Sequence, residues 1–193
     1  MKVLVLVNFP ETKSPIPKIT PLLCDALGKI GCTVHQEPWG RHREDEHIPA
    51  KILGRLVDIW RVRSVAHTLR PDILLINTAS GMPSVLRDVG VMKATGRYCR
   101  RRVLLVHRVD TARLSSESRG RIFARATRLR SRMANATLVL SREELDDCTR
   151  LLPGPLYRVN PPFLPRPLAG PGCFARQCVE NEGRVLLFVG RLI

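Results

Sequence analysis

Apolar residues fall along this chain in two alternating rhythms. Short continuous runs of strand length are separated by stretches in which apolar residues recur every three or four positions. The first run, KVLVLVN from Lys2 to Asn8, is unbroken rather than alternating, as expected of a strand covered on both faces. A loop with Pro10, Pro15 and Pro17 follows. Ile19, Leu22, Leu23, Ala26, Leu27 and Ile30 then make one helical face, and Gly31 stands where a helix C-cap glycine belongs. Cys32 to Gln36 reads as a second strand, and GRHREDEH as a polar loop. Ile48 to Leu69 reads as a long helix stopped by Pro71.

The same alternation continues. Asp72 to Asn77 (DILLIN) is a third strand, Thr78 to Pro83 a small-residue loop, and Ser84 to about Ala94 a shorter helix. Arg102 to His107 (RVLLVH) is a fourth strand. Glu117 to Asn135 is an amphipathic helix. Its expected apolar face is Ile122, Phe123, Ala126, Leu129 and Met133, and its polar face carries Arg119, Arg121, Arg125, Arg128, Arg130 and Arg132. Thr137 to Ser141 is a fifth strand, Arg142 to Leu151 a helix, and Leu156 to Val159 a sixth strand. Strands and helices in this order predict an α/β fold, a parallel sheet with helices on both faces.

The composition changes near residue 153. Seven prolines and three glycines fall between Pro153 and Gly172, and a last strand-like run, Val185 to Val189, ends at Gly190. The expected organisation is a domain over residues 1–160, a Pro/Gly-rich linker over 161–183, and the first strand of a second, truncated domain over 184–193.

Composition adds constraints. The chain has 193 residues, 44% of them hydrophobic, enough to bury a core without a metal or disulfide staple. No apolar run reaches the roughly 18 residues of a membrane span. Six cysteines are scattered without a C-x-x-C pair, which points to free thiols in a reducing, cytoplasmic compartment. His42 and His47 flank Glu44, Asp45 and Glu46, and this run reads as a solvated loop rather than a metal site.

The formal net charge is +15. Between Arg97 and Arg132 twelve arginines face two carboxylates, a net +10 in one segment. An anionic partner fits this: a membrane surface, a phosphorylated substrate or nucleic acid. Arginines spread over solvated faces are the plain alternative. A membrane surface would be met by Arg121, Arg125, Arg128 and Arg132 on the peripheral, inner-membrane side. A nucleic-acid module explains the charge, but aromatic residues for base stacking are only 5%.

In open parallel sheets ligands bind outside the carboxyl ends of the strands. That rule nominates the loops beginning at Asn8, Thr78, His107 and Ser141, with these residues among the candidate substrate contacts. No G-x-G-x-x-G follows the first strand, which weighs against an ordinary dinucleotide enzyme. Thr78, Ser80 and Gly81 offer hydroxyl and backbone N–H groups near a helix start, with capping by Ser80 or Ser84 as the alternative. His107 can orient a substrate or exchange protons, Arg108 beside it suits a phosphate or carboxylate, and Asp110 completes the HRVD cluster of candidate substrate contacts.

Several of these segments, in this order, resemble the retaining glycosyltransferases of family 4, whose GT-B fold pairs two Rossmann-like domains. The carrying residues are the N-terminal strand, PDILLIN, the fourth strand ending in His107, TLVLS ending in Ser141, VNPPF, and FVGRL from Phe188 to Leu192. The resemblance implies transfer of a sugar from a nucleotide-sugar donor to an acceptor, lipid-linked or part of a cell-envelope glycan, with net retention and no metal or other cofactor. It implies an acceptor-side N-terminal domain, with His107 near the transferred sugar. Gly190 and Arg191 would open the donor-diphosphate site, where an arginine stabilises charge on the leaving nucleotide. NFPETKSP replaces the glycine-rich turn usual after the first strand. The lysine usual after GRL and the paired glutamates of the second domain are missing, so residues 1–193 are expected not to turn over alone. A degenerate, non-catalytic domain is the remaining alternative.

Overall fold

A computed structural model describes residues 1–7, 16–39, 48–107, 109, 114 and 121–158. Among them the order is β1 (Lys2–Val7), α1 (Ile16–Lys29), β2 (Thr33–Pro38), α2 (Ile48–Leu69), β3 (Ile73–Ala79), α3 (Met82–Thr95), β4 (Arg101–His107), α4 (Arg121–Met133), β5 (Ala136–Val139), α5 (Arg142–Leu151) and β6 (Leu156–Arg158). The strands form one six-stranded sheet in the order β2-β1-β3-β4-β5-β6, parallel at every pairing. The expected α/β architecture is what the chain adopts. The expected linker and final strand lie outside the described residues, as do Asn8, Arg108, Asp110, Gly190 and Arg191.

Strand alternation splits the core in two. Leu4, Leu6, Leu74, Ile76, Leu104 and Val106 face a layer built by α2, α3, α4 and α5. Val3, Val5, Ile73, Leu75 and Leu105 face the other way, toward Leu23, Cys24 and Leu27 of α1. The chain steps from β1 to β2 in one direction and from β2 onward in the other. Right-handed crossovers therefore put α1 on one face and the later helices on the opposite one. The switch point lies between β1 and β3.

Local signals explain most boundaries. After α1, Gly31 adopts φ +81, its N–H donates to the Gly28 carbonyl at 2.9 Å, and the Cys32 N–H donates to the Leu27 carbonyl at 3.1 Å. That is the C-terminal wrap expected of this glycine. The helix starts earlier than expected, at Ile16, because Pro17 falls in its first turn, where a missing N–H costs nothing. β2 runs on to Pro38, paired in register with Val7 of β1.

Two expectations fail. β3 continues through Thr78 to Ala79, so the expected loop is short and α3 begins at Met82. Pairing with β4 carries the strand on, since Thr78 and Ala79 have partners in Val106 and His107. The faces of α4 are also rotated from the expected ones. Phe123, Ala124, Thr127, Arg130 and Ser131 are buried, whereas Ile122 and Leu129 are exposed. The reason lies on α3. Asp88 is fully buried there, on the same stripe as Val85 and Met92, and it draws Arg130 inward. A buried carboxylate without a cation would be far more costly than an exposed leucine.

Candidate functional site

Residues 77 and 78 are adjacent in β3 and point to opposite faces. Each anchors a polar cluster at the carboxyl edge of the sheet.

On the α1 face, Asn77 is fully buried. Its Nδ2 donates to Thr20 Oγ1 of α1 at 3.1 Å. Its Oδ1 lies 2.5 Å from His107 Nε2 at the end of β4. An amide oxygen only accepts, so with this orientation Nε2 carries the proton and Nδ1 is the ring's acceptor. Burial pushes the His107 pKa below its ordinary value, and the Glu144 carboxylate opposes the shift. A half-buried, neutral imidazole at pH 7 results. Thr20, Asn77 and His107 thus form a row that runs from the helix after β1, through β3, to β4. It lies across the switch point, where ligands of open α/β sheets bind.

Glu144 frames this row from the other side. Its carboxylate accepts from the Val109 N–H at 3.1 Å and from the Leu140 N–H at 3.2 Å. It therefore ties the chain just after β4 to the end of β5. Ser141 is the N-cap of α5, and its Oγ accepts from the Glu144 N–H at 3.0 Å. The serine proposed for substrate holds a helix start, and its side chain also hydrogen-bonds Glu143, whose carboxyl pKa is lowered by its own backbone N–H and by this serine.

On the opposite face, Thr78 is buried, not in a loop, and its hydroxyl is committed. It donates to the Ala79 carbonyl at 3.3 Å and accepts from Arg87 at 3.2 Å. Arg87 and Arg130 both bind the Asp88 carboxylate, at 3.2 Å each, through its two oxygens. Arg87 also stacks over Trp39, 4.8 Å from the ring centroid. Burial pushes the Arg130 pKa down, while Asp88 raises it. This network clamps α3, α4 and the end of β2 together. It removes Thr78 from the candidate site.

Ser80 and Gly81 connect β3 to α3. Gly81 is the N-cap, extended at φ −65 and ψ 149, with no side-chain bond to the first turn. Neither Ser80 nor Ser84 occupies that position. Because Ala79 is in register with His107, Ser80 and Gly81 follow directly at the same sheet edge.

Of the nominated residues, the structure brings His107, Ser80 and Gly81 to one edge and sends Thr78 to the far face. Asn77, Thr20 and Glu144 belong to the site but were not nominated. Asn77 was visible as a polar residue ending an apolar run. Glu144 was visible as the third residue after Ser141, a capping-box spacing. Thr20 carried no signal of its own. Among the described residues, no group of three His, Cys, Asp or Glu side chains is placed to hold a metal ion, and no helix is long and apolar enough to cross a membrane. Neither the family models nor the curated proteins compared with this chain match it.

Proposed function

We propose that this chain carries the acceptor-side domain of a glycosyltransferase, which moves a sugar from a nucleotide-sugar donor to a hydroxyl-bearing acceptor, with retention of configuration. The observation that supports it best is the Thr20–Asn77–His107 row at the switch point of the sheet. It is uncharged at neutral pH and rich in hydroxyl and amide groups, the chemistry that suits a polyol. Asn77 holds the imidazole with Nε2–H inward, and Nδ1 is left to accept from a sugar hydroxyl. A histidine fixed this way can orient that hydroxyl and exchange its proton near neutral pH. Ser80 and the N–H groups beyond Gly81 are close enough along the chain to share the same ligand. Gly190 and Arg191, the proposed donor-diphosphate contacts, lie outside the described residues.

Nuclear magnetic resonance of the whole 193-residue chain tests the reading. Titration with a panel of free sugars, polyol phosphates and lipid-linked sugars should shift the His107 ring and the Asn77 side-chain amide for at least one acceptor class. Nucleotide sugars added with that acceptor should give transfer in a polypeptide that includes a donor-binding domain. A panel that leaves both groups unmoved, with duplex DNA moving them instead, overturns the reading in favour of nucleic-acid binding.

A further inference from the structure

Helices α2, α3 and α4 lie side by side on one face of the sheet, with α3 in the middle. Each shows at least one large apolar side chain to solvent, directly opposite its buried stripe. On α2, Asp58, Val62 and Ala66 are buried, and the far side carries Leu53, Leu56, Val57 and Trp60 at offsets of three, four and seven. Trp60 is 68% exposed. On α3 the outward apolar residue is Leu86. On α4 they are Ile122, 73% exposed, and Leu129. Most of the exposed large apolar residues among those described therefore share one layer. Scattered exposed leucines need no explanation, but four large apolar side chains on one stripe of α2 do.

The exposed charges on these three helices have one sign. The three helices contain two carboxylates, Asp58 and Asp88, and both are fully buried. Among the described side chains of these helices, the exposed charged ones are Arg63, Lys93, Arg121, Arg125, Arg128 and Arg132. Carboxylates enter this layer with the next helix, α5, which holds Glu143, Glu144, Asp146 and Asp147. From this pattern we infer that the outer face of α2, α3 and α4 is a docking surface for an anionic lipid bilayer.

The chemistry selects a bilayer over other occupants. A tryptophan, leucines and an isoleucine interleaved with arginines suit the boundary between headgroups and acyl chains, where the ring and aliphatic groups sink and the cations meet phosphate. Nucleic acid would use the arginines but has no place for Leu53, Leu56, Val57 and Ile122. A second copy docked through the same three helices would bring arginine against arginine, since their described side chains include no exposed carboxylate. This surface lies on the helical layer opposite α1, and the inference stands independently of sugar transfer.

The chain has two tryptophans, and Trp39 is buried beneath Arg87, so a change in emission on binding reports Trp60. Vesicles of phosphatidylcholine with phosphatidylglycerol should shift the emission to the blue, while pure phosphatidylcholine vesicles should bind far more weakly. Arg125→Gln with Arg132→Gln should lower partition into anionic vesicles by roughly 25-fold, on about a fivefold effect per basic side chain. Leu53→Ser with Leu56→Ser should abolish the blue shift and weaken cosedimentation by about tenfold or more. These side chains are exposed, so the variants should fold, which circular dichroism checks. The inference is overturned if anionic vesicles leave the emission unchanged or if neutral vesicles bind equally well. It is also overturned if the shift follows protein concentration without lipid, or if it appears with duplex DNA but not vesicles.

Discussion

Asn77 and Thr78 are neighbours in sequence, similar in size and both buried, yet they belong to different machines. Asn77 joins a neutral row of Thr20 and His107 that ends in a ring nitrogen able to accept from a ligand. Thr78 joins a closed ionic network of Arg87, Asp88 and Arg130 whose bonds all run inside the protein. A strand sends successive side chains to opposite faces, so one residue step separates the cluster proposed to meet a ligand from a structural one. Polarity at a strand end is therefore no guide to function until the face is known.

The sharpest way to break this contrast is to unpair the structural side. Asp88→Ala leaves two buried guanidinium groups without their shared carboxylate. Removal of one partner of a buried ion pair costs about 3–5 kcal/mol, a large part of a typical domain's stability. Urea unfolding should show that loss, or no folded chain at all. Asp88→Ala with Arg130→Met should recover part of it, because the second change removes the stranded charge. A loss within about 0.5 kcal/mol, the size of an ordinary surface substitution, would show that the network is solvated rather than closed.

This network also marks where sequence reasoning stopped. The strands and the parallel order were legible because each buried strand is an unbroken apolar run and each crossover helix has its own period. Gly31 and Pro71 were legible because their backbone chemistry acts locally. The rotation of α4 was not, because its inward face holds Thr127, Arg130 and Ser131, which no hydrophobic count selects. It is set by Asp88, 42 residues earlier in the chain. The site had the same character. His107 was readable at a strand end, whereas Thr20 became meaningful only when the fold set α1 against β3.

On the neutral side, Asn77→Ala should have a smaller effect. It removes the acceptor for His107 Nε2–H, and a buried donor left without its acceptor costs about 1–3 kcal/mol. The more telling change is in the ring. Without Asn77 to hold the proton at Nε2, the tautomer should become mixed, which nitrogen chemical shifts of His107 would reveal. An unchanged tautomer would mean that Asn77 fills space but does not set the ring. In either case the Asp88 network should keep its stability contribution, since the two clusters lie on opposite faces.

The smallest expected effect is on pH dependence, and it separates the two clusters most finely. His107 has a folded pKa below its ordinary value of 6.5 because burial disfavours the imidazolium. The unfolded chain therefore binds this proton more readily than the folded one. Stability from this group is fully present above about pH 6.5, the ordinary histidine value, and is lost as pH falls from there through the folded pKa. His107→Gln should flatten that part of the stability curve. Glu144→Gln should do the reverse, because the Glu144 charge is what holds the His107 pKa up against burial. Without it the folded pKa falls further, and the window of acid sensitivity widens. Urea unfolding at a series of pH values reads the first, and ring titration of His107 by nuclear magnetic resonance reads the second. A His107 pKa that rises in Glu144→Gln would mean that the carboxylate acts on the ring through the Val109 and Leu140 tethers rather than through its charge. The histidine would then be positioned by the loop it follows and not by the field across it.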